Sequence, residues 1–140
     1  MNQTMKKYGF NQSHLRRYML DTQALRRGHD NYTSVKDLTW FLTLVSQNKL
    51  LGKIYDRKMM TLLHHCRNHS KLPKRVKQAA VYNKTGEFLA KGVQNDASLF
   101  KTKHGTYTVV VLAQQGNQYQ QYRAMNRLGH DTVTYLNGHR

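Results

Sequence analysis

The chain has 140 residues, a length that suits one domain, and its hydrophobic content of 39% is low but compatible with a modest core. Its 23 lysines and arginines against 7 acidic residues give a formal charge of +16, which favours polyanionic surroundings such as nucleic acid, anionic lipid or cell-wall polymer. The basic residues are spread along the chain without an RNA-binding signature, a Cys/His finger or a basic zipper. The charge alone therefore predicts only salt-dependent binding to polyanions, without sequence specificity.

Several further classes of protein lack support in the sequence. No apolar run is long enough to span a membrane and no secretion signal is present, so the chain as written is expected to be cytoplasmic. Cys66 is the only cysteine, which rules out an intrachain disulfide. His64, His65, Cys66 and His69 form one cluster, whereas a tetrahedral metal site usually draws two ligand pairs from separate segments. We therefore expect neither a metal nor another cofactor.

In chain order, the first predicted helix runs from Asn2 to Gly9, and residues 10–17 cross to a loop. Thr33 or Ser34 is expected to cap the next helix, with Asp37 completing a capping box. Apolar residues at helical spacing then predict a buried face, formed by Val35, Leu38, Phe41, Leu42 and Val45.

A further helix is expected after residues 48–52, with Asp56 as its cap. Its predicted apolar side consists of Met59, Met60, Leu62, Leu63 and Cys66. Leu72-Pro73 marks a turn into the sheet. The last predicted helix covers residues 117–128 and is expected to stop at Gly129, which leaves residues 130–140 as a possible irregular tail.

The stretch from Ala79 to Ala113 predicts an antiparallel meander, because runs of strand-forming residues alternate with turn signals. Lys84-Thr85-Gly86 falls on its first strand. A lysine can place a fixed positive charge beside an anionic group, and a threonine hydroxyl can donate a hydrogen bond to a carboxylate. Adjacent side chains point to opposite faces of a flat strand, so a site that uses both needs local twist. The glycine beside them leaves room for a ligand.

The order of the motifs resembles the C-terminal half of class A β-lactamases and related penicillin-recognising serine hydrolases. The resemblance extends from about Tyr8 to about Leu128. It rests on five segments, namely residues 16–21, 28–34, 84–87, 92–97 and 105–111. The first two look like the family's Ω-loop and the start of the helix that leaves it. This resemblance implies an α+β class and a partial β-lactamase/transpeptidase-like fold, in which helices flank a three-stranded antiparallel sheet within one domain of residues 1–140.

The same resemblance implies a substrate-binding role for the first strand. Lys84 and Thr85, with Gly86 beside them, would hold the carboxylate side of the pocket. The backbone N–H of Glu87 would be one of two oxyanion donors, the other belonging to the nucleophilic serine. Gln94 stands where many class A enzymes have an arginine, so a charged anchor is absent there.

In the Ω-like segment, Arg17 and Asp30 look like the pair that closes the neck of the family's loop. Met19 takes the position of the glutamate that activates the water for deacylation, and a thioether cannot accept a proton. Asp21 would substitute only with a shifted loop path. Efficient β-lactamase activity is therefore not expected.

The family's nucleophile lies in a Ser-x-x-Lys motif that precedes the Ω-loop, and a Ser-Asp-Asn-like loop follows it. Only Ser46 and Ser98 begin a Ser-x-x-Lys sequence here, and both follow the Ω-like segment, so neither is expected to be the nucleophile. The strand that matches Thr106 to Ala113 pairs in the family with an N-terminal strand that this chain lacks. An exposed sheet edge and a homo-oligomer are therefore expected.

Two functions remain open at this level. In the first, the chain is part of a serine hydrolase that acts on a β-lactam or a peptidoglycan peptide, and is inactive alone for want of the nucleophile. In the second, it is a non-enzymatic basic binding module or remnant that attaches to cell-wall polyanion or nucleic acid. No specific nucleic acid is predicted in either case.

Overall fold

A computed structural model of the protein describes residues 1–138. The helices are α1 Asn2–Lys7, α2 Thr22–Arg26, α3 Val35–Ser46, α4 Lys53–His64 and α5 Gln118–Gly138. Short 3-10 helices cover Leu72–Arg75 and Leu89–Lys91, and the strands are β1 Ala80–Phe88, β2 Val93–Thr102 and β3 Gly105–Ala113. The predicted α+β class and the three-stranded antiparallel sheet with flanking helices are confirmed. Within residues 1–138, no helix has both the length and the apolar composition required to cross a bilayer.

The sheet has the strand order β1-β2-β3, so β2 is central and both other strands lie at an edge. Gly86 is paired with Asn95, and Asn95 in turn with Leu112, which fixes the register across all three strands. Gly92 ends the connection from β1 to β2 with a φ of +58°. A Cβ atom at this position would lie 2.7 Å from the carbonyl oxygen of Gly116, so only glycine fits there.

Helices cover the two faces of the sheet. On one face, α5 and the 3-10 helix Leu72–Arg75 close the larger core, whose buried residues are Leu72, Phe100, Met125 and Val133. On the other face, α3 packs on β3 and α4 on β1. A second cluster of buried residues, Leu44, Val45 and Leu50, joins these helices to the N-terminal segment. Val35 and Leu62, which we expected in buried faces, are 46% and 73% exposed, because both lie on helix surfaces turned away from these clusters.

The last helix is longer than the sequence predicted. It passes through Gly129 and continues to Gly138, so the expected stop at Gly129 and the irregular tail are wrong for residues 130–138. Residues 139–140 lie outside the described residues. Gly129 has a packing role, because a Cβ atom there would lie 2.0 Å from the carbonyl oxygen of Leu72. The glycine permits the close approach of α5 to the 3-10 helix.

At the start of α3, the predicted cap Ser34 is confirmed, but the predicted capping box is not. Ser34 caps α3 as expected, since its hydroxyl oxygen accepts a hydrogen bond of 3.0 Å from the backbone N–H of Asp37. The carboxylate of Asp37, however, accepts hydrogen bonds of 2.8 Å from the Gln12 N–H and the Ser13 hydroxyl. It therefore ties the N-terminal segment to α3 instead of completing a capping box.

Asp56 is not the cap of α4. The helix begins at Lys53 with Gly52 as its N-cap, so Asp56 lies inside the first turn, fully buried. Its carboxylate accepts hydrogen bonds of 2.9 and 3.0 Å from the backbone N–H groups of Leu50 and Leu51. These bonds satisfy donors in the preceding turn, which explains why a charged side chain is tolerated there.

Candidate functional site

The candidate site is built on Lys84, Thr85 and Gly86 in β1. Lys84 is exposed, Gly86 is half-buried and Thr85 is buried at 7% exposure. The ammonium group of Lys84 donates a hydrogen bond to the carbonyl oxygen of Thr85, so the lysine lies along its own strand. All three residues contribute atoms to the lining of one cleft.

This cleft has a volume of about 350 Å³. Asn95, Ala97 and Leu112 line its sheet side. Its helix side is formed by apolar residues, mainly Leu38, Phe41, Leu42 and Leu63. A second apolar cavity, of about 330 Å³, shares Thr33, Leu38 and Phe41 with the first and extends toward Met1 and Met5. We call these two neighbouring apolar cavities together the strand-side groove.

Lys71 supports β1 and β2 through hydrogen bonds to their backbone. Its side chain is fully buried, and its ammonium group donates to the carbonyl oxygens of Gly86 at 3.1 Å and Asn95 at 3.0 Å. The same nitrogen lies 2.9 Å from the Glu87 carboxylate and 5.7 Å from the centre of the Tyr122 ring. One cation therefore clamps the paired positions of β1 and β2 directly behind the lysine-threonine-glycine triplet.

Glu87 is the anionic partner in this clamp. The hydrogen bond and the positive charge of Lys71, helped by a 3.3 Å hydrogen bond from the Asn68 side chain, hold the pKa of the Glu87 carboxyl below its ordinary value. The carboxylate thus stays charged at neutral pH and fixed toward Lys71. The side chain of Glu87 thus points toward Lys71, while its backbone continues β1 after Gly86.

Behind the strand, Asp96 organises a second buried cluster. Its carboxylate accepts hydrogen bonds from the Leu72 N–H at 3.1 Å, the Asn83 side chain at 3.3 Å and the Ser98 hydroxyl at 3.1 Å. Burial is the largest influence on its acidity and raises the pKa of Asp96, against these three hydrogen bonds. Asp96 thereby joins β1 and β2 to the 3-10 helix Leu72–Arg75.

Comparison with known proteins identifies the family. Residues 1–136 match a sequence model described as "Beta-lactamase enzyme family". The chain belongs to the beta-lactamase enzyme family. No curated protein matches the sequence.

Solved structures of similar fold include beta-lactamases and a protein named PBP-A. The beta-lactamase from Sphaerobacter thermophilus DSM 20745 aligns with a TM-score of 0.82 at 18% identity, covering 97% of this chain and 51% of that one. For PBP-A the TM-score is 0.80 at 15% identity, with 99% and 51% coverage. For the TLA-1 extended spectrum beta-lactamase it is 0.77 at 16% identity, with 96% and 53% coverage. The chain thus spans about half the length of these beta-lactamase-fold structures and forms a partial version of that fold.

In this member of the beta-lactamase family, Arg17 and Asp30 face each other in the Ω-like segment. Two guanidinium nitrogens of Arg17 lie 2.9 Å from one carboxylate oxygen of Asp30. The side-chain oxygen Oδ1 of Asn31 accepts hydrogen bonds from the backbone N–H groups of Arg16 and Arg17. The two ends of the segment are thereby tied together, while Met19 between them is 80% exposed.

The two serines that begin a Ser-x-x-Lys sequence are engaged elsewhere. Ser46 lies at the end of α3, where its hydroxyl donates to the carbonyl oxygen of Thr43 at 2.9 Å. Ser98 is fully buried in β2 and donates to Asp96. Neither hydroxyl lines the cleft beside Lys84.

The histidine cluster also has a packing role. The Nδ1 atom of His64 lies 2.8 Å from the carbonyl oxygen of Val81, and its ring centre is 4.8 Å from that of Tyr82. In the described part of the chain, no group of three or more potential metal ligands comes together. His64 therefore connects the end of α4 to β1.

The sequence did not indicate that Lys71 supports β1 and β2. Lys71 had no role in the sequence-based site, and nothing in its neighbourhood distinguishes it from the other 22 basic residues. Asn83 immediately precedes Lys84, and its burial with Asp96 follows from the alternation of side chains along β1. That alternation is the one sequence signal that predicts the cluster.

Proposed function

We propose that this chain supplies the substrate-binding half of a penicillin-recognising serine acyl-enzyme, whose substrate is a β-lactam or a peptidoglycan peptide. The observation that carries the proposal is the placement of Lys84, Thr85 and Gly86 on one edge strand that lines an apolar cleft. An exposed ammonium group beside a small residue suits an anionic ligand with an apolar body.

Each residue of the strand has a defined part in this proposal. Lys84 supplies a positive charge and Thr85 a hydroxyl donor for the substrate carboxylate. The N–H of Glu87 donates to the oxyanion that forms when the acyl group is attacked. Lys71 is a positioning residue, because it holds the Gly86 carbonyl and the Glu87 carboxylate and so fixes the path of the strand.

The nucleophile is proposed to come from residues outside this sequence. Ser46 and Ser98 are engaged in local hydrogen bonds, and neither lines the cleft. The related solved structures are about twice as long as the chain, which covers 51% of the first two. The strand-side groove offers an apolar surface on which a further part of such a fold would pack.

Recognition and acylation fit this chain better than rapid hydrolysis. A solved PBP-A variant is an acyl-enzyme complex with penicillin G, which shows that a protein of this fold can hold the covalent adduct. Met19, at the position of the deacylating glutamate in the resemblance, has no group that accepts a proton from water. We therefore expect acyl-enzyme formation by the complete domain to outpace its hydrolysis.

Incubation of the purified chain with a fluorescent penicillin tests the assignment of the nucleophile. The chain alone should show no covalent label after denaturation, because it has a receptor strand without a nucleophile. PBP-A, treated in parallel, is the positive control. A label that survives denaturation and maps by peptide mass to Ser46 or Ser98 would contradict the proposal.

A further inference from the structure

A polar groove surrounds the 3-10 helix Leu72–Arg75. It consists of two neighbouring cavities of about 480 and 500 Å³, which share Lys74 and Val76 in their linings. Its basic residues are Arg67, His69, Lys74, Arg75, Lys77 and His130. We call this surface the basic groove. No residue that lines it also lines the cleft beside Lys84.

The carboxylates of the protein already have hydrogen-bond or ion-pair partners within the fold. Asp30 pairs with Arg17, Glu87 with Lys71, and Asp131 with Arg127 and His130. The other four acidic residues accept hydrogen bonds within the fold, namely Asp21, Asp37, Asp56 and Asp96. These are all of the 7 acidic residues in the chain. The lysine and arginine side chains of the basic groove consequently have no ion-pair partner among residues 1–138.

His130 is partnered by Asp131, but the side chains of the other basic residues in the groove have no hydrogen-bond or ion-pair partner within residues 1–138. These five residues, Arg67, His69, Lys74, Arg75 and Lys77, are exposed. Repulsion among unneutralised cations is unfavourable, and a bound polyanion would relieve it while releasing its own counterions. The groove therefore has the charge and the accessibility of an anion-binding surface.

We propose that the basic groove binds a phosphodiester polymer without bases, such as a poly(glycerol phosphate) of the cell wall. Two adjoining cavities suit a chain of repeating phosphates better than a single small anion. No Phe, Tyr or Trp side chain lines either cavity, whereas proteins that bind single-stranded nucleic acid stack the bases on such rings. The polymer is thus recognised through its phosphates, and this inference does not depend on the proposed acyl-enzyme function.

Binding of a fluorescently labelled poly(glycerol phosphate), measured by anisotropy from 25 to 300 mM NaCl, tests the proposal. A triple variant, Lys74→Gln, Arg75→Gln and Lys77→Gln, should weaken binding on the order of tenfold at low salt. It should also reduce the slope of log K against log salt by about two to three, because each of the three phosphate contacts contributes about 0.7–0.9. The unfolding midpoint should stay close to that of the wild type, since all three side chains are exposed.

A matched variant removes the same charge from another surface. Lys36, Lys49 and Lys53 are exposed and lie outside the basic groove, so their replacement by glutamine should change binding by less than about threefold. An equal effect of both variants would show diffuse attraction and overturn the groove assignment. Absence of binding at 25 mM NaCl would do the same. Tighter binding of an oligothymidylate with the same number of phosphates would assign the groove to nucleic acid instead.

Discussion

The side chain of Lys71 is fully buried, and its charge is nevertheless compensated on several sides. The Glu87 carboxylate and two backbone carbonyls surround its ammonium group, with the Tyr122 ring nearby. Burial of a single unpaired charge costs several kcal/mol, which accounts for this dense set of partners. Lys71 therefore fixes the position of β1, the strand that carries Lys84 and Thr85.

Replacement of Lys71 by methionine should lower the free energy of unfolding by about 2–4 kcal/mol. Methionine keeps most of the volume, but it leaves the carbonyl oxygens of Gly86 and Asn95 without their donor. Glu87 is 35% exposed in its side chain, so water solvates its unpaired charge and keeps the loss at this modest level. Urea unfolding measures the change.

The exposed Lys74 provides the matched control, since Lys74→Met should change stability by less than about 0.5 kcal/mol. Adding Glu87→Gln to Lys71→Met should recover part of the loss, because the orphaned charge is then removed. Equal stability of Lys71→Met and Lys74→Met would show that the contacts of Lys71 contribute nothing to the free energy of unfolding.

The sequence predicted the strand motif of the candidate site and not the buried side chain that supports it. Lys84, Thr85 and Gly86 form a motif that is visible in one short stretch. Lys71, in contrast, acquires its role only when the 3-10 helix is placed behind β1 and β2, 15 and 24 residues away along the chain. Asp56 was misassigned for a related reason, since its carboxylate bonds backward to the turn before α4.

Among the elements, strands were easier to predict than helix ends. The meander follows from β-branched and aromatic runs, with β3 rich in valine. The end of α5 was wrong because glycine usually stops a helix, whereas Gly129 is required by contact with the Leu72 carbonyl. A tertiary contact of this kind overrides local propensity and has no signature within the helix itself.

The edge strand β3 leads to a prediction about association. Its only neighbour in the described sheet is β2, so the other side of β3 carries unpaired backbone groups that favour pairing with a second copy. The chain alone should therefore dimerise or aggregate at 150 mM salt, where charge repulsion is screened beyond about 8 Å. Val110→Lys should shift it toward monomer. Val110 is half-buried and, unlike Val109 and Val111, lies outside the larger core, so the fold should tolerate this change.

Light scattering across a concentration series measures this shift. Gln120→Lys adds the same charge at an exposed position on α5 and should leave association unchanged. A wild-type chain that remains monomeric at high concentration and moderate salt would mean that the edge of β3 is covered.

On the scale of the whole molecule, the two proposed binding surfaces are separate. The cleft beside Lys84 is lined largely by apolar residues from α3 and the sheet, whereas the basic groove lies around the 3-10 helix Leu72–Arg75. The formal charge of +16 gives the chain a general attraction to anions, including a penicillin carboxylate. A test of the substrate-binding strand must therefore separate local recognition from this general attraction.

An NMR titration of the ¹⁵N-labelled chain with benzylpenicillin makes this separation. We expect the amide signals of residues 84–87 to shift with a dissociation constant on the order of 1 mM, since half a site binds weakly. The shifts should be lost in Lys84→Ala, whose exposed side chain is not needed for folding, and should persist in Lys36→Ala, which removes the same charge elsewhere. Shifts that are absent from residues 84–87, or that are the same in Lys84→Ala as in the wild type, would contradict the assignment of this strand to substrate binding.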